Sequence, residues 1–381
     1  MHDPVGPAVG PLPHASMDVL ARIAASAAQT DAEGVPRVTI DALASAGLLG
    51  TPLSPVSAAR ELAEVLAGCD ATTWFCWVQH ISPMHAIAAA VDGPETPAAS
   101  TIRERYLSGL RSGELLAGVA FAHVRRPGPP NPVATRDADG WRVNGTLDWV
   151  TSWDIADVVV VTAKADGPDE GMMIAFVLPA GHSTAPLPDG VSVGDPLRLL
   201  AMSGTHTRPV RFDNVAIPAT DVIALTPVDS WMADDRQRTA DANPSAFGLA
   251  RAAIAELDEL ATQRNDSLMR VLATDLASQC RDMRAQAYAL MEDADREGTR
   301  VQRLDLRAQA LDLATRAAMA NVTARAGASM MTGCSAERRL RESMFLLVQA
   351  QTADTRAASL RLEIAAGGKS SASSGHRDDR T

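Results

Sequence analysis

Apolar residues recur at helical spacing through the first part of the chain, between residues 17 and 67. Residues 71–91 are apolar on nearly every side, which is typical of a helix buried at the centre of a domain. We therefore predict an N-terminal helical domain at residues 16–112. Prolines and glycines interrupt residues 1–15, and this segment is predicted to form a flexible arm.

Short runs of strand length replace the helical pattern after residue 112. Residues 141–145 read Trp-Arg-Val-Asn-Gly, and the Asn-Gly pair predicts a hairpin turn. Residues 158–162 and 172–178 are β-branched or apolar runs, and residues 210–215 alternate with a period of two. These patterns predict a compact middle β domain at residues 113–223.

Helical periodicity then returns with few breakers, which predicts a C-terminal four-helix bundle at residues 237–365. The predicted helices cover residues 246–263, 269–293, 304–326 and 336–364. The last segment, residues 366–381, is rich in glycine and serine and is predicted to be a disordered tail. The expected fold class is α+β, mostly α, with three domains in the order helices, β-sheet or barrel, helical bundle.

Composition and charge exclude several classes of function. The formal net charge of −11 argues against a nucleic-acid partner, which requires a basic face. No stretch approaches the roughly 20 apolar residues of a membrane-spanning helix, and no signal peptide is expected. The 4 cysteines fit neither a zinc site nor a disulfide scaffold, so we expect reduced thiols, no bound metal and a cytoplasmic location.

One motif carries a resemblance to a known family. Residues 140–151 read Gly-Trp-Arg-Val-Asn-Gly-Thr-Leu-Asp-Trp-Val-Thr, which resembles the middle-domain signature of the acyl-CoA dehydrogenase superfamily. The resemblance implies a flavin cofactor, with Trp149 stacked against its ring system and Thr151 bonded to it. An apolar face and a few placed polar groups are what such a ring requires. Leu147 stands where the family has lysine.

Two further stretches resemble the same superfamily. Residues 202–218 are similar to the end of its β domain, although Ser203 replaces an arginine. Residues 248–250, Gly-Leu-Ala, resemble the opening of its long bundle helix, and this alignment implies that Arg264 contacts the flavin pyrophosphate across a subunit interface. Gly327 falls on a Gly-Gly pair that lets the backbone approach the cofactor. The family's neighbouring residues are replaced by Ser267, Leu268 and Ala326.

The last predicted helix bears on the reaction. Residues 337–343, Glu-Arg-Arg-Leu-Arg-Glu-Ser, resemble a family motif, and in this alignment Thr352 falls on a conserved threonine and flavin contact. The glutamate that removes the α-proton of an acyl thioester in the family aligns with Ala350. The usual catalytic base is therefore missing from this position.

Four other residues are candidates for the site. His80 and His85 lie on the apolar helix that lines the substrate pocket in related flavin monooxygenases, so they are catalytic candidates; neutral core histidines are the alternative reading. Phe121 is a candidate flavin contact or a sheet packing residue. His123 either donates to the flavin edge or faces solvent.

The resemblance implies a flavin-dependent oxidoreductase, and three reactions stay open. They are a monooxygenase acting on a bulky substrate, an acyl-CoA dehydrogenase with its base elsewhere, and a non-redox or non-catalytic partner subunit. The implied cofactor is FAD; FMN, or reduced flavin supplied by a partner reductase, is the alternative. The substrate would be an acyl thioester or a bulky ring compound, and the assembly a homodimer or homotetramer.

Overall fold

The computed structural model describes residues 3–7, 12, 14–49, 56–126 and 132–373. The α+β fold class, mostly helical, is confirmed. The helices of this part of the chain are α1 His14–Glu33, α2 Arg37–Ser45, α3 Val56–Cys69, α4 Ala71–Ala89, α5 Ala99–Ser112, α6 Val228–Thr239, α7 Pro244–Arg264, α8 Ser267–Met291, α9 Arg300–Arg325, α10 Ser335–Val348 and α11 Ala353–Ser373. The strands are β1 Ala117–Ala120, β2 Val133–Asp137, β3 Gly140–Val150, β4 Val158–Asp166, β5 Met172–Pro179, β6 Val191–Val193, β7 Arg208–Pro218 and β8 Val222–Pro227.

The strands of the described residues form one mixed sheet in the order β6-β7-β3-β2-β4-β5-β8. Both β1 and β2 pair with β4 in parallel, on successive stretches of that strand, and the remaining pairs are antiparallel. The sheet closes over its own core, in which Phe176 and Phe212 meet edge to face. Because alternate side chains of each strand face this core, the opposite faces are free to line a site or contact helices.

The Asn-Gly pair at residues 144 and 145 does not form the predicted hairpin turn. Both residues lie inside β3, and the register against β7 shifts between Val143 and Gly145. Gly145 has a φ of +126°, and the side chain of Asn144 accepts a hydrogen bond from the Asn214 backbone at 2.7 Å. The pair therefore builds a β-bulge, another backbone irregularity that needs the freedom of glycine.

Helix α4 connects the two hydrophobic regions of the helical part. Asp70 caps its first turn by accepting hydrogen bonds from the backbones of Thr72 and Thr73. Trp74 and Trp77 pack into a core shared with α1, α3, α7 and α9, so the N-terminal helices and the bundle have one continuous interior. Met84, about two turns after Trp77, packs with α5 and the sheet.

The fourth helix of the predicted bundle is two helices. The chain leaves α10 after Val348 and enters α11 at Ala353. Ala350 adopts a left-handed φ of +51°, and Arg307 donates a hydrogen bond to the Gln349 carbonyl at 2.9 Å. A residue in the left-handed conformation ends the helical hydrogen-bond ladder. The apolar periodicity alone does not show where such a residue lies.

The ends of the chain also differ from the prediction. Within the segment predicted as a flexible arm, Val5 is buried and Asp3 pairs with Arg251 at 2.8 Å. Arg284 donates a hydrogen bond to the Gly6 carbonyl at 3.0 Å, so residues 3–7 are held against the bundle. At the other end, α11 continues to Ser373 and enters the segment predicted to be disordered; residues 374–381 lie outside the described residues. None of the described helices has the length and apolar character needed to cross a membrane.

Candidate active site

A cavity of about 680 Å³ lies between the helices and the sheet. One wall is a face of α4, and a second is a face of α10 with the turn that follows it. The floor is formed by β1, β3 and residues 199–207. Its size is within the range of pockets that hold a cofactor or a drug-sized ligand. The cavity is therefore the candidate active site.

Trp149 and Thr151, the two residues of the middle-domain motif, both line this cavity. Trp149 is 48% exposed, so much of its ring faces open space instead of the core. The buried Thr151 hydroxyl accepts a hydrogen bond from Thr207 at 3.2 Å, and the hydroxyl oxygens of Thr207 and Thr205 lie 2.8 Å apart. An aromatic face beside a row of hydroxyls suits a flat ring with a polar edge.

Phe121 also lines the cavity, at the end of β1. Its ring meets Trp231 of α6 edge to face at 5.8 Å, and the Arg125 guanidinium lies 5.0 Å from its centroid. Arg125 is fixed in turn by a bidentate pair with the buried Asp235, at 2.7 and 2.8 Å. Phe121 is thus held by two contacts and presents a rigid surface to the cavity.

The described lining contains no carboxylate and no imidazole. Ala350, which aligns with the family's catalytic glutamate, lies on the cavity wall and supplies only a methyl group. The charged groups of the wall are Arg125, Arg126 and Arg341, and each pairs with a carboxylate: Asp235, Asp148 and Asp31, respectively. A proton acceptor of suitable pKa within hydrogen-bond reach is the first requirement of base catalysis, and these walls do not supply one.

His80 does not line the cavity; it is fully buried on another face of α4. Its Nδ1 accepts a hydrogen bond from the Ala117 backbone at 3.0 Å, and its Nε2 donates to the Leu110 carbonyl at 3.0 Å. Burial lowers the pKa of the imidazole to about 4. His80 is therefore a neutral residue that joins α4 to α5 and β1, a structural role in place of the predicted catalytic one.

The pH dependence of stability follows from this burial. The unfolded imidazole has a pKa near 6.5 and the folded one a pKa of about 4, so the stabilising contribution of His80 is complete above pH 6.5 and is lost as the pH falls toward 4. Over that interval the free energy of unfolding falls by up to about 1.4 kcal/mol per pH unit from this group. Urea unfolding of a His80→Asn variant is expected to show a shallower slope. A slope equal to that of the wild type would contradict the assignment.

The other predicted histidines also lie off the cavity. His85 is exposed on α4, away from the lining residues, so a catalytic role gains no support from its position. His123 directs its Nε2 to the Thr162 carbonyl at 2.9 Å, and burial lowers its pKa to about 4. His123 is thus partly buried and does not line the cavity, although its neighbours Ala122 and Phe121 do.

Three predicted cofactor contacts are not among the residues that line the cavity. Arg264 ends α7 and donates a hydrogen bond to the Ala324 carbonyl at 2.7 Å, and exposed Gly327 follows three residues after Ala324. Neither Arg264 nor Gly327 lines the cavity. Thr352 exchanges backbone-to-hydroxyl hydrogen bonds with Thr355 at 2.7 and 3.3 Å and thereby caps α11, just beyond the cavity residue Ala350.

Sequence reasoning placed α4 at a pocket but did not single out the residues of α4 and α10 that line it. Four residues of α4 face the cavity with the spacing i, i+3, i+4, i+7: Phe75, Val78, Gln79 and Ser82. Four residues of α10 do the same: Arg341, Met344, Phe345 and Val348. This spacing is visible in the sequence, but an apolar or mixed helical stripe is equally typical of a core face.

Comparisons with known proteins agree with this architecture. The family model "Acyl-CoA dehydrogenase, middle domain" matches residues 129–215. The very long-chain specific acyl-CoA dehydrogenase of Macaca fascicularis is 29% identical over 136 residues, which is 32% of this chain and 19% of the relative. The matched part thus spans about a fifth of the length of that curated relative.

Solved structures extend the likeness to nearly the whole chain. Butyryl-CoA dehydrogenase from Megasphaera elsdenii superposes with a TM-score of 0.73 at 19% identity, covering 93% of this chain and 100% of that one. Dibenzothiophene monooxygenase from Paenibacillus sp. A11-2 superposes with a TM-score of 0.70 at 18% identity, covering 91% and 96%. At such identities the likeness establishes the fold, which both a dehydrogenase and a monooxygenase share. The chain therefore has the fold of the acyl-CoA dehydrogenases over nearly its whole length, and its middle domain matches their middle-domain family in sequence.

Proposed function

We propose that the protein is a flavin-dependent monooxygenase that oxidises a bulky ring compound within the cavity. FAD is the proposed cofactor, with FMN, or reduced flavin delivered by a separate reductase, as the alternative. The family match of the middle domain supports the flavin, and the monooxygenase among the structural neighbours supports the reaction class.

The cavity walls fit a flavin. Trp149 offers an open aromatic face, and Thr151 offers a hydroxyl at the edge of that face. Phe121 is held rigidly nearby by Trp231 and Arg125. Such a wall provides the stacking area and the single placed polar contact that orient an isoalloxazine ring.

The absence of a proton acceptor from the described lining is the observation that favours oxygenation over dehydrogenation. Acyl-thioester dehydrogenation requires a base for a weakly acidic α-proton, and Ala350 cannot provide one. Residues 127–131, which follow the lining residue Arg126, read Pro-Gly-Pro-Pro-Asn and contain no carboxylate in their sequence. A monooxygenase takes no proton from carbon through a protein carboxylate, so this wall is compatible with it.

The chain's own groups would bind, orient and protect. When bound, reduced flavin supplies two electrons with which O₂ is split, one oxygen atom entering the substrate and the other leaving as water. The apolar faces of α4 and α10 exclude water from this chemistry. The hydroxyls of Thr151, Thr207 and Thr205 hold the polar edge of the ring in place.

The proposed assembly is a homodimer or a pair of dimers. Arg264 bonds to the Ala324 carbonyl, three residues before exposed Gly327, and neither residue lines the cavity, yet a guanidinium and an unhindered glycine are suited to a phosphate group. We propose that they contact the pyrophosphate of the flavin held by a second copy of the chain. This arrangement would make the site complete only in the oligomer.

A visible absorption spectrum tests the cofactor. The purified protein is incubated with excess FAD or FMN, either oxidised or reduced under anaerobic conditions, and free flavin is removed. Retention of about one flavin per chain in at least one of these states is expected. If neither flavin is retained in either redox state, the proposed function is wrong.

A further inference from the structure

The helical walls of the cavity meet at one aromatic pair. Phe75 of α4 and Phe345 of α10 contact each other edge to face, with ring centroids 4.8 Å apart and an interplanar angle of 68°. On α4 the cavity face continues from Phe75 through Val78 to Gln79 and Ser82. The face is therefore apolar at the Phe75 end and polar at the Ser82 end.

Gln79 and Ser82 differ from the other polar groups of the wall. Within the described part of the chain, neither side chain makes a hydrogen bond or ion pair. The wall arginines all pair with carboxylates, and Thr205 and Thr207 bond to each other. Gln79 is partly buried and Ser82 is exposed, so two polar side chains without a protein partner adjoin where the wall opens to solvent.

Pro83 changes the backbone hydrogen bonding of the same stretch of α4. It lies inside α4 and has no N–H, so it cannot donate to the Gln79 carbonyl four residues earlier. The Gln79 carbonyl therefore lacks its regular helical partner. A proline in a helix interior costs about 3 kcal/mol relative to alanine, in part because this hydrogen bond is lost.

We propose that Gln79 and Ser82 form a polar subsite that binds a neutral oxygen function, a carbonyl or a hydroxyl, on a ring substrate. The inference rests on the proposed function, since it assigns the substrate class of the same cavity. A primary amide can donate and accept, and a hydroxyl can do both, so the pair matches either group. A carboxylate is disfavoured because each cation of the described lining is already paired with a carboxylate of the protein.

The spacing also limits the size of the substrate. Seven residues separate Phe75 from Ser82, which corresponds to about 10 Å along the helix at 1.5 Å per residue. A flat compound of about two or three fused rings spans that distance. Its unsubstituted end packs against the Phe75–Phe345 pair, and its oxygen function lies at Gln79 and Ser82.

A matched pair of probes tests the subsite: 2-naphthol and naphthalene, which differ by one hydroxyl. Their dissociation constants are measured by equilibrium dialysis against the full-length protein as purified, for the wild type and for Gln79→Leu and Ser82→Ala. The wild type is expected to bind 2-naphthol more tightly than naphthalene. In Gln79→Leu the ratio of the two dissociation constants is expected to fall about fivefold, which is the effect of one neutral hydrogen bond. A smaller fall is expected in Ser82→Ala.

Val78→Ala serves as the control, because it removes apolar contact from the same face and weakens both probes by the same factor. A preference that is unchanged in both polar variants would overturn the subsite, as would a wild type that binds neither probe. Because dialysis requires no turnover, the proposed function can fail separately: a protein that retains no flavin but shows the fivefold change keeps the subsite and loses the reaction.

Discussion

Replacing Trp149 with alanine is expected to weaken flavin binding about 30-fold while leaving the fold intact. The ring is 48% exposed on the cavity wall, so its removal takes little from the core, and the expected loss of unfolding free energy is below about 1 kcal/mol. A stacked aromatic contributes on the order of 2 kcal/mol to holding a ring ligand, which corresponds to that change in affinity. Flavin affinity is measured by titration of the absorption or fluorescence signal, and stability by urea unfolding.

Trp141 is the matched control, because it lies on the same strand, β3, and is 3% exposed. Trp141→Ala removes a buried aromatic side chain and is expected to cost about 3–5 kcal/mol of stability. The two variants thus separate cofactor binding from folding. If Trp149→Ala retained wild-type affinity for every flavin that the wild type binds, Trp149 would not be the flavin contact.

Substitution of Gly248 by alanine is expected to destabilise the protein by at least about 3 kcal/mol. Helices α3 and α7 cross so closely there that an added Cβ would lie 2.0 Å from the Glu64 carbonyl oxygen. The obstacle is backbone, which cannot rotate away, so the cost exceeds the usual 1–3 kcal/mol of overpacking and outweighs the better helix propensity of alanine. Gly68 faces the same crossing from α3, with the Gly248 carbonyl 2.7 Å from its ideal Cβ position.

Gly327 provides the control for that substitution. An added Cβ there would have no atom within 4 Å, and we expect Gly327→Ala to change the free energy of unfolding by less than about 0.5 kcal/mol. Urea unfolding of both variants measures the difference. Equal stability of the two variants would show that α3 and α7 are not in the close contact described above.

The order of domains followed from periodicity because long amphipathic segments and strand-length runs are local properties of the sequence. The Asn144–Gly145 bulge did not, since a bulge and a hairpin turn use the same residues and only the pairing with β7 distinguishes them. The break between α10 and α11 includes Ala350 in a left-handed conformation, next to the Gln349 carbonyl that accepts a hydrogen bond from distant Arg307. Tertiary contacts of this kind have no local signature.

The candidate site likewise contains residues that the sequence could identify and residues that only tertiary contacts reveal. The family motif led to Trp149 and Thr151, which both line the cavity, because a motif match carries information on three-dimensional position as well as residue type. His80 was singled out for its chemistry, but the backbone groups of Ala117 and Leu110 occupy both ring nitrogens, and no sequence pattern encodes those partners. Gln79 was missed because an amide on an apolar helix has no distinctive pattern of its own.

Anaerobic mixing of the flavin-loaded protein with acyl-CoA thioesters tests the central claim, that this cavity carries no base for α-proton abstraction. Butyryl-CoA and palmitoyl-CoA are added in turn, and the visible absorption of the oxidised flavin is followed, with dithionite as the control that the bound flavin is reducible. We predict that both thioesters leave the absorption unchanged while dithionite bleaches it. Stoichiometric bleaching by either thioester would contradict the account, because it would require a proton acceptor that the described walls do not contain.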